Sequence, residues 1–227
     1  MSSTERRACG SVRRVRSVLA YGDSNTHGTV PMRHAHDIRR YDREIRWTGH
    51  AAACLPKDVH IIEEGHPGRT TLHDDPIEGA HKNGLTVLPA LLETHRPLEA
   101  VVLMLGTNDM KARFPVTAMD VARAVERLAM VVIGSGAGPD LGCPKLLIVA
   151  PPPIQEVGCL AEMFQGGAAR SHRLGAAMAA MASRTGISFV DAGQHITVSP
   201  TDGIHFEPEA HAVLGRTIGA ALARLLD

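Results

Sequence analysis

"VRSVLAYGDSNTHG", residues 15–28, sets an apolar run directly against a cluster of turn-forming polar residues. The run, 15–21, is the first of five; the others are "VHIIEE" (59–64), "AVVLML" (100–105), "KLLIVA" (145–150) and "ISFV" (187–190). Their branched aliphatic content and near-continuous hydrophobicity suit strands covered on both faces, hence a parallel sheet. Between them "WTGHAAACL", "LTVLPALLETH", "AMDVARAVERLAMVVI" and "AARSHRLGAAMAAMASR" have the length and composition of helices. A last helix, "PEAHAVLGRTIGAALARLL", opens with Pro208, where a first-turn proline is tolerated. The alternation predicts a three-layer α/β/α fold around a flavodoxin-like five-stranded parallel sheet. The second half of the opening stretch is undecided by itself, because Gly, Asp, Ser and Asn are also the ordinary vocabulary of turns.

Bulk properties narrow the function classes. Lys plus Arg balances Asp plus Glu at 24 each, so no overall field recommends nucleic acid, and the expected partner is a small molecule. The first 16 residues carry five arginines against Glu5 but no apolar core of a secretory signal. Residues 1–14 are therefore expected to be a mobile basic tail, and 15–227 a single domain, since no linker or repeat divides them. "GSGAGPDLG", 134–142, reads as a surface loop between a helix and a strand. No apolar run reaches the roughly 18 residues of a membrane span. Cys9, Cys54, Cys143 and Cys159 are scattered without C-x-x-C pairing, which predicts buried or idle thiols in a reducing compartment, the cytoplasm by default.

In an open parallel sheet, ligands bind outside the carboxyl ends of the strands. The unusual polar sequences follow that edge: "GDSN", "GHPGRTT", "GTND", "PPP" and "DAG" come after the successive runs, and "DGIHF" follows some ten residues after the last. A serine hydroxyl is a weak nucleophile that needs a base, itself oriented by a third group. Asp202 and His205 stand three apart, so one turn can bring the carboxylate to one ring nitrogen while the other faces Ser24. Asp23 and Asp191 are rivals for the acid; the first fits a turn and the second a strand-end cap. Oxyanion donors are then sought in the backbone N–H of Ser24, the backbone N–H of Gly68 and the side-chain amide of Asn108, which could also cap a helix.

The blocks "GDSN", "GHPGRTT", "GTND" and "DGIHF", in this order, resemble the SGNH hydrolase superfamily of GDSL-type esterases, whose four named residues are matched by Ser24, Gly68, Asn108 and His205. "RWTGHAAACL", "IIEEGHPGRTTLHDDP", "MLGTND" and "DAGQHI" look like its arylesterase and acyltransferase branch. That resemblance implies short-chain acyl esters as substrates, acyl transfer to alcohols or peroxide beside hydrolysis, no cofactor, and a homo-oligomer that narrows access to the pocket. Asn25 stands where the commonest first block has leucine, and His27 where the branch often carries an aromatic residue. Both border the expected acyl pocket. Trp47, Met163 and Phe164 are further expected pocket residues, with an interface or ordinary packing as alternatives.

Other polar residues are assigned bland roles. Arg69 could pair with an acidic residue or meet an anionic substrate; pairing with carboxylates is expected, Asp74 and Asp75 being near in sequence. His34 and His36 lack further ligands at metal spacing, so no metal is expected, and His172, His195 and His211 read as surface residues. A deacetylase of a sugar or metabolite would use the same machinery. A non-catalytic anion or nucleotide binder of flavodoxin-like form is the competing class, but it has no use for "DGIHF", and the phosphate-loop pattern is absent. G-x-S-x-G is also missing, because Thr26 lies two after Ser24.

Overall fold

The computed structural model describes residues 15–227, and the basic segment 1–14 lies outside them. The five apolar runs form β1 (Arg16–Gly22), β2 (Val59–Gly65), β3 (Leu98–Met104), β4 (Lys145–Ala150) and β5 (Ser188–Asp191). All pair in parallel in the order β2-β1-β3-β4-β5. The chain leaves β1 for one side and returns to its other side with β3, so the topological switch falls between β1 and β3, where a ligand crevice opens.

Alternation along the strands supplies two cores. Leu19, Tyr21, Val101, Leu103 and Ile148 face α3 (Gly84–His95), α4 (Ala118–Ile133) and α6 (Leu174–Thr185). Val18, Ala20, Val102, Leu147 and Val149 face α2 (Trp47–Ala53) and α7 (Pro208–Leu226). Each buried side chain of this kind contributes roughly 1.5–3 kcal/mol relative to exposure. Two shorter helices, α1 (Ser24–His27) and α5 (Gly167–Ser171), stand at the carboxyl edge.

The helix expected over 168–184 is interrupted after Ser171. Its hydroxyl donates to Ala168 O at 2.7 Å and accepts from Ile154 N at 3.0 Å, diverting the turn toward the β4 loop. The α4 start is regular, with Thr117 and Asp120 forming a reciprocal capping box.

His211 does not lie on the surface. It is buried on the face of α7 that meets α2, with its Nδ1 accepting from Trp47 N at 3.2 Å and its ring set edge-on to Tyr41 and Phe206. The helices meet so closely because Gly215 and Gly219 have no side chains: a Cβ on Gly215 would stand 2.5 Å from Trp47 O. His172 and His195 are exposed, as are His34 and His36. Cys54, Cys143 and Cys159 are free and exposed, whereas Cys9 lies outside the described residues. No helix among the described residues is long and apolar enough to cross a membrane.

Candidate functional site

At the end of β1, Asp23 turns the chain into α1. Its carboxylate accepts from Asn25 N at 2.9 Å, while its carbonyl accepts from Thr26 and His27. Ser24 is thereby held at the mouth of the crevice. Across it lies the loop before α7, shaped by Asp202, whose Oδ1 accepts from the backbone of Ile204 and His205 at 3.0 Å each.

The two loops meet at one imidazole. His205 Nε2 stands 3.1 Å from Ser24 Oγ, and His205 Nδ1 donates to Asp202 Oδ2 at 2.6 Å. Met32 N also donates to that carboxylate oxygen at 2.6 Å. Burial pushes the Asp202 carboxyl up, but the hydrogen bond and charge of His205 and the backbone N–H groups of His205 and Met32 outweigh it, leaving the group below its ordinary value. An ionised Asp202 keeps the ring proton on Nδ1 and leaves Nε2 free to accept the serine proton. Neither rival carboxylate is hydrogen-bonded to His205: Asp191 accepts from Gly193 N at 3.0 Å, and Asp23 holds its own turn.

Two further loops reach the same point. Asn108 opens the short 3-10 turn after β3 and does not cap it. Its Nδ2 donates to Arg69 O at 3.1 Å and stands 3.4 Å from Asp23 Oδ2. Gly68, beyond β2, has φ +81°, and a Cβ there would come within 2.5 Å of Glu78 Oε2, so only glycine presents this stretch of backbone without strain. Burial raises the Asp23 carboxyl to about 6, against the opposing pull of Asn25 N–H, His205 and Arg69.

Ser24, Gly68, Asn108 and His205 all line one cavity of about 410 Å³. Met32, Leu160, Met163, Phe164 and Ile204 form its apolar wall, and Glu78, Lys82 and Lys111 its polar wall. Lys111 is buried yet satisfied, with Asp75 at 3.1 Å and Glu78 at 2.5 Å. Arg113 holds the same Asp75 at 2.8 Å. His27 lines the cavity as well; burial, then Arg40 and Arg46, lower it to about 4, so it is neutral at neutral pH.

Three expectations are corrected. Asn25 does not border the cavity: it is buried behind the serine and donates to Ile204 O at 3.1 Å, joining the two halves of the site from below. Trp47 is fully buried between the sheet and α7, because its helix turns that face inward. Arg69 pairs with no carboxylate among the described residues. Its guanidinium lies 4.1 Å from the Tyr21 ring centroid, and its NH1 donates to the carbonyls of Gly22, at 2.8 Å, and Glu64. Asp75 is taken by Lys111 and Arg113, and Asp74 Oδ1 accepts from Asn83 at 2.8 Å. The polar wall was missed altogether. "DDPIEG" shows clustered acids, but nothing local shows that Asp75 accepts from Ile77 and Glu78 N–H and so aims Glu78 at the cavity.

Comparisons place the chain among known proteins. The GDSL-like Lipase/Acylhydrolase family matches residues 20–213. An aryl esterase of M. Smegmatis, in its inhibitor-bound form, is 36% identical with a TM-score of 0.88, over 92% of this chain and 99% of that one. Est24, a carbohydrate acetylesterase from Sinorhizobium meliloti, is 40% identical with the same TM-score, over 92% and 99%. A lipolytic G-D-S-L family member from Veillonella parvula shares the fold at 14% identity and a TM-score of 0.63. No curated protein sequence matches.

Proposed function

Because the chain belongs to the GDSL-like lipase/acylhydrolase family and is a carboxylic ester hydrolase, we propose that it cleaves short-chain acyl or aryl esters through an acyl-enzyme on Ser24. The observation that carries this reading is the continuous hydrogen-bonded chain from Ser24 through His205 to Asp202 at the wall of a small cavity. His205 Nε2 takes the hydroxyl proton as Oγ attacks the ester carbonyl, and Asp202 stabilises the imidazolium that forms. The backbone N–H groups of Ser24 and Gly68 and the amide of Asn108 receive the oxyanion. The tetrahedral adduct collapses, the C–O bond breaks, and the imidazolium protonates the departing alkoxide. Water, deprotonated by the same nitrogen, then releases the acid. This sequence uses no metal or organic cofactor.

A cavity of about 410 Å³ suits a short acyl group rather than a long chain. An alcohol or peroxide in place of water would accept the acyl group by the same steps. A second reading, deacetylation of a hydroxyl-rich compound, is favoured by the polar residues Glu78, Lys82 and Lys111 in the cavity lining. We also read the protein as a homo-oligomer of a reducing compartment: Ile38, 90% exposed at the cavity, would be covered by a second copy.

The test is hydrolysis of an aryl acetate across the pH range of histidine by the wild type, Ser24→Ala and His205→Ala. Both variants are expected to lose at least about 10³-fold in kcat/KM. Wild-type rates in Ser24→Ala would overturn the mechanism.

A further inference from the structure

Arg69 is a buried cation whose place in the fold is hard to explain by stability. It is 4% exposed, its Nε has no hydrogen-bond partner, and Asp23 and Glu64 act on it only through space. Burying a charge without a contacting countercharge costs several kcal/mol, and an apolar side chain of similar volume would fill the same space at lower cost. Its contacts show what the charge is kept for. NH1 donates to Gly22 O, two residues before Ser24, and to Glu64 O, at the end of β2. Its own N–H closes the turn that carries Gly68 by donating to His66 O at 3.0 Å, and its carbonyl accepts from Asn108 Nδ2 at 3.1 Å. The guanidinium lies over the Tyr21 ring, 4.1 Å from its centroid, and Tyr21 OH is itself anchored on Gly84 O at 2.6 Å.

We infer that Arg69 is the positioning residue of the oxyanion site: its guanidinium ties the carboxyl ends of β1 and β2 together and so holds in place the turn whose backbone carbonyl at residue 69 accepts from the Asn108 amide, so that the three donors share one focus. The inference rests on the proposed acyl-enzyme reading. Donors aimed at the tetrahedral oxygen lower the barrier without tightening substrate binding, so their misalignment shows in kcat and not in KM.

The experiment compares wild type, Arg69→Met and Arg69→Lys, with Leu128→Ala, a core residue well inside α4, as the control for stability loss. Readouts are kcat and KM on an aryl acetate, thermal unfolding, and inhibition by an alkylboronic acid, which adds to a serine hydroxyl as a tetrahedral anion. Arg69→Met is expected to lose about 100-fold in kcat with KM within about threefold, and boronate affinity is expected to fall by the same factor. Arg69→Lys, whose ammonium can reach the carbonyls but cannot stack flat on Tyr21, is expected to recover about tenfold of that loss. Leu128→Ala is expected to lower the melting temperature and leave both parameters unchanged. Retained kcat and boronate affinity in Arg69→Met overturn the inference, as does a loss that Leu128→Ala reproduces. Should Arg69→Met fail to fold, Arg69→Lys decides: a kcat and boronate deficit at unchanged KM supports the role, and wild-type values overturn it. Ser24→Ala in the same assay separates the two failures, since an active Ser24→Ala sinks the mechanism itself, whereas an inactive one beside an active Arg69→Met sinks only the role of Arg69.

Discussion

Asp202 and Asp23 are both buried carboxyls beside the same imidazole, yet their environments drive them apart. The donors converging on Asp202 keep it ionised, whereas burial dominates at Asp23. The amide of Asp202→Asn would offer an N–H to Nδ1 and favour the ring tautomer with Nε2 protonated, so kcat is expected to fall by about 10³–10⁴ with the fold retained. Asn108→Ala is expected to lower kcat by about 10²–10³ with little change in KM, measured by steady-state kinetics on an aryl acetate. Ser24, Gly68 and Asn108 were legible because each sits just beyond a predicted strand, and Asp202 and His205 because they stand three apart in one loop. Asn25 and Trp47 were misplaced for a different reason: residue type and position along the chain do not tell which way a side chain turns, and both turn inward.

At the scale of elements, the site depends on how α7 is seated. Pro208 opens it three residues after His205, so any shift of the helix reaches the imidazole. Gly215→Val would press on Trp47 O and His50, and is expected to cost roughly 1–3 kcal/mol in urea unfolding. Esterase activity is expected to fall further than stability does, because His205 moves with the helix. Thr117→Ala provides the contrast: losing the α4 capping box is expected to cost about 1 kcal/mol with kcat unchanged. The helices themselves were readable from composition and length. The break after Ser171 was not, because it depends on Ile154 arriving from the β4 loop to hydrogen-bond the hydroxyl.

For the whole molecule, buried titratable groups set the acid response. Burial, then His50 and His205, lower His211 to about 3, and burial, then Lys82 and Arg69, lower His66 to about 4. His27 is depressed likewise. These rings are neutral in the fold, so their contribution is full above 6.5 and drains as pH falls toward the folded values. For His211 the loss is about 1.4 kcal/mol per pH unit. Asp23 runs the other way, its contribution full below 3.8 and lost as pH rises through about 6. Three histidines outweigh one carboxyl, so unfolding free energy is expected to rise from pH 4 to 6.5 in urea titrations. His211→Leu is expected to flatten that rise, and Asp23→Asn to steepen it.

The sequence by itself determined the kind of fold and the residues available to the site, because strand and helix patterning report interactions between near neighbours, and polar loops after apolar runs mark one edge of a sheet. Only the tertiary structure decided how those loops combine. His205 meets Ser24 across 181 positions of chain, and the order β2-β1-β3 brings the Ser24, Gly68 and Asn108 loops together. The same sheet order gives Arg69 backbone carbonyls rather than the carboxylates expected from sequence. Contacts of that range depend on strand order and side-chain direction, which no local pattern encodes.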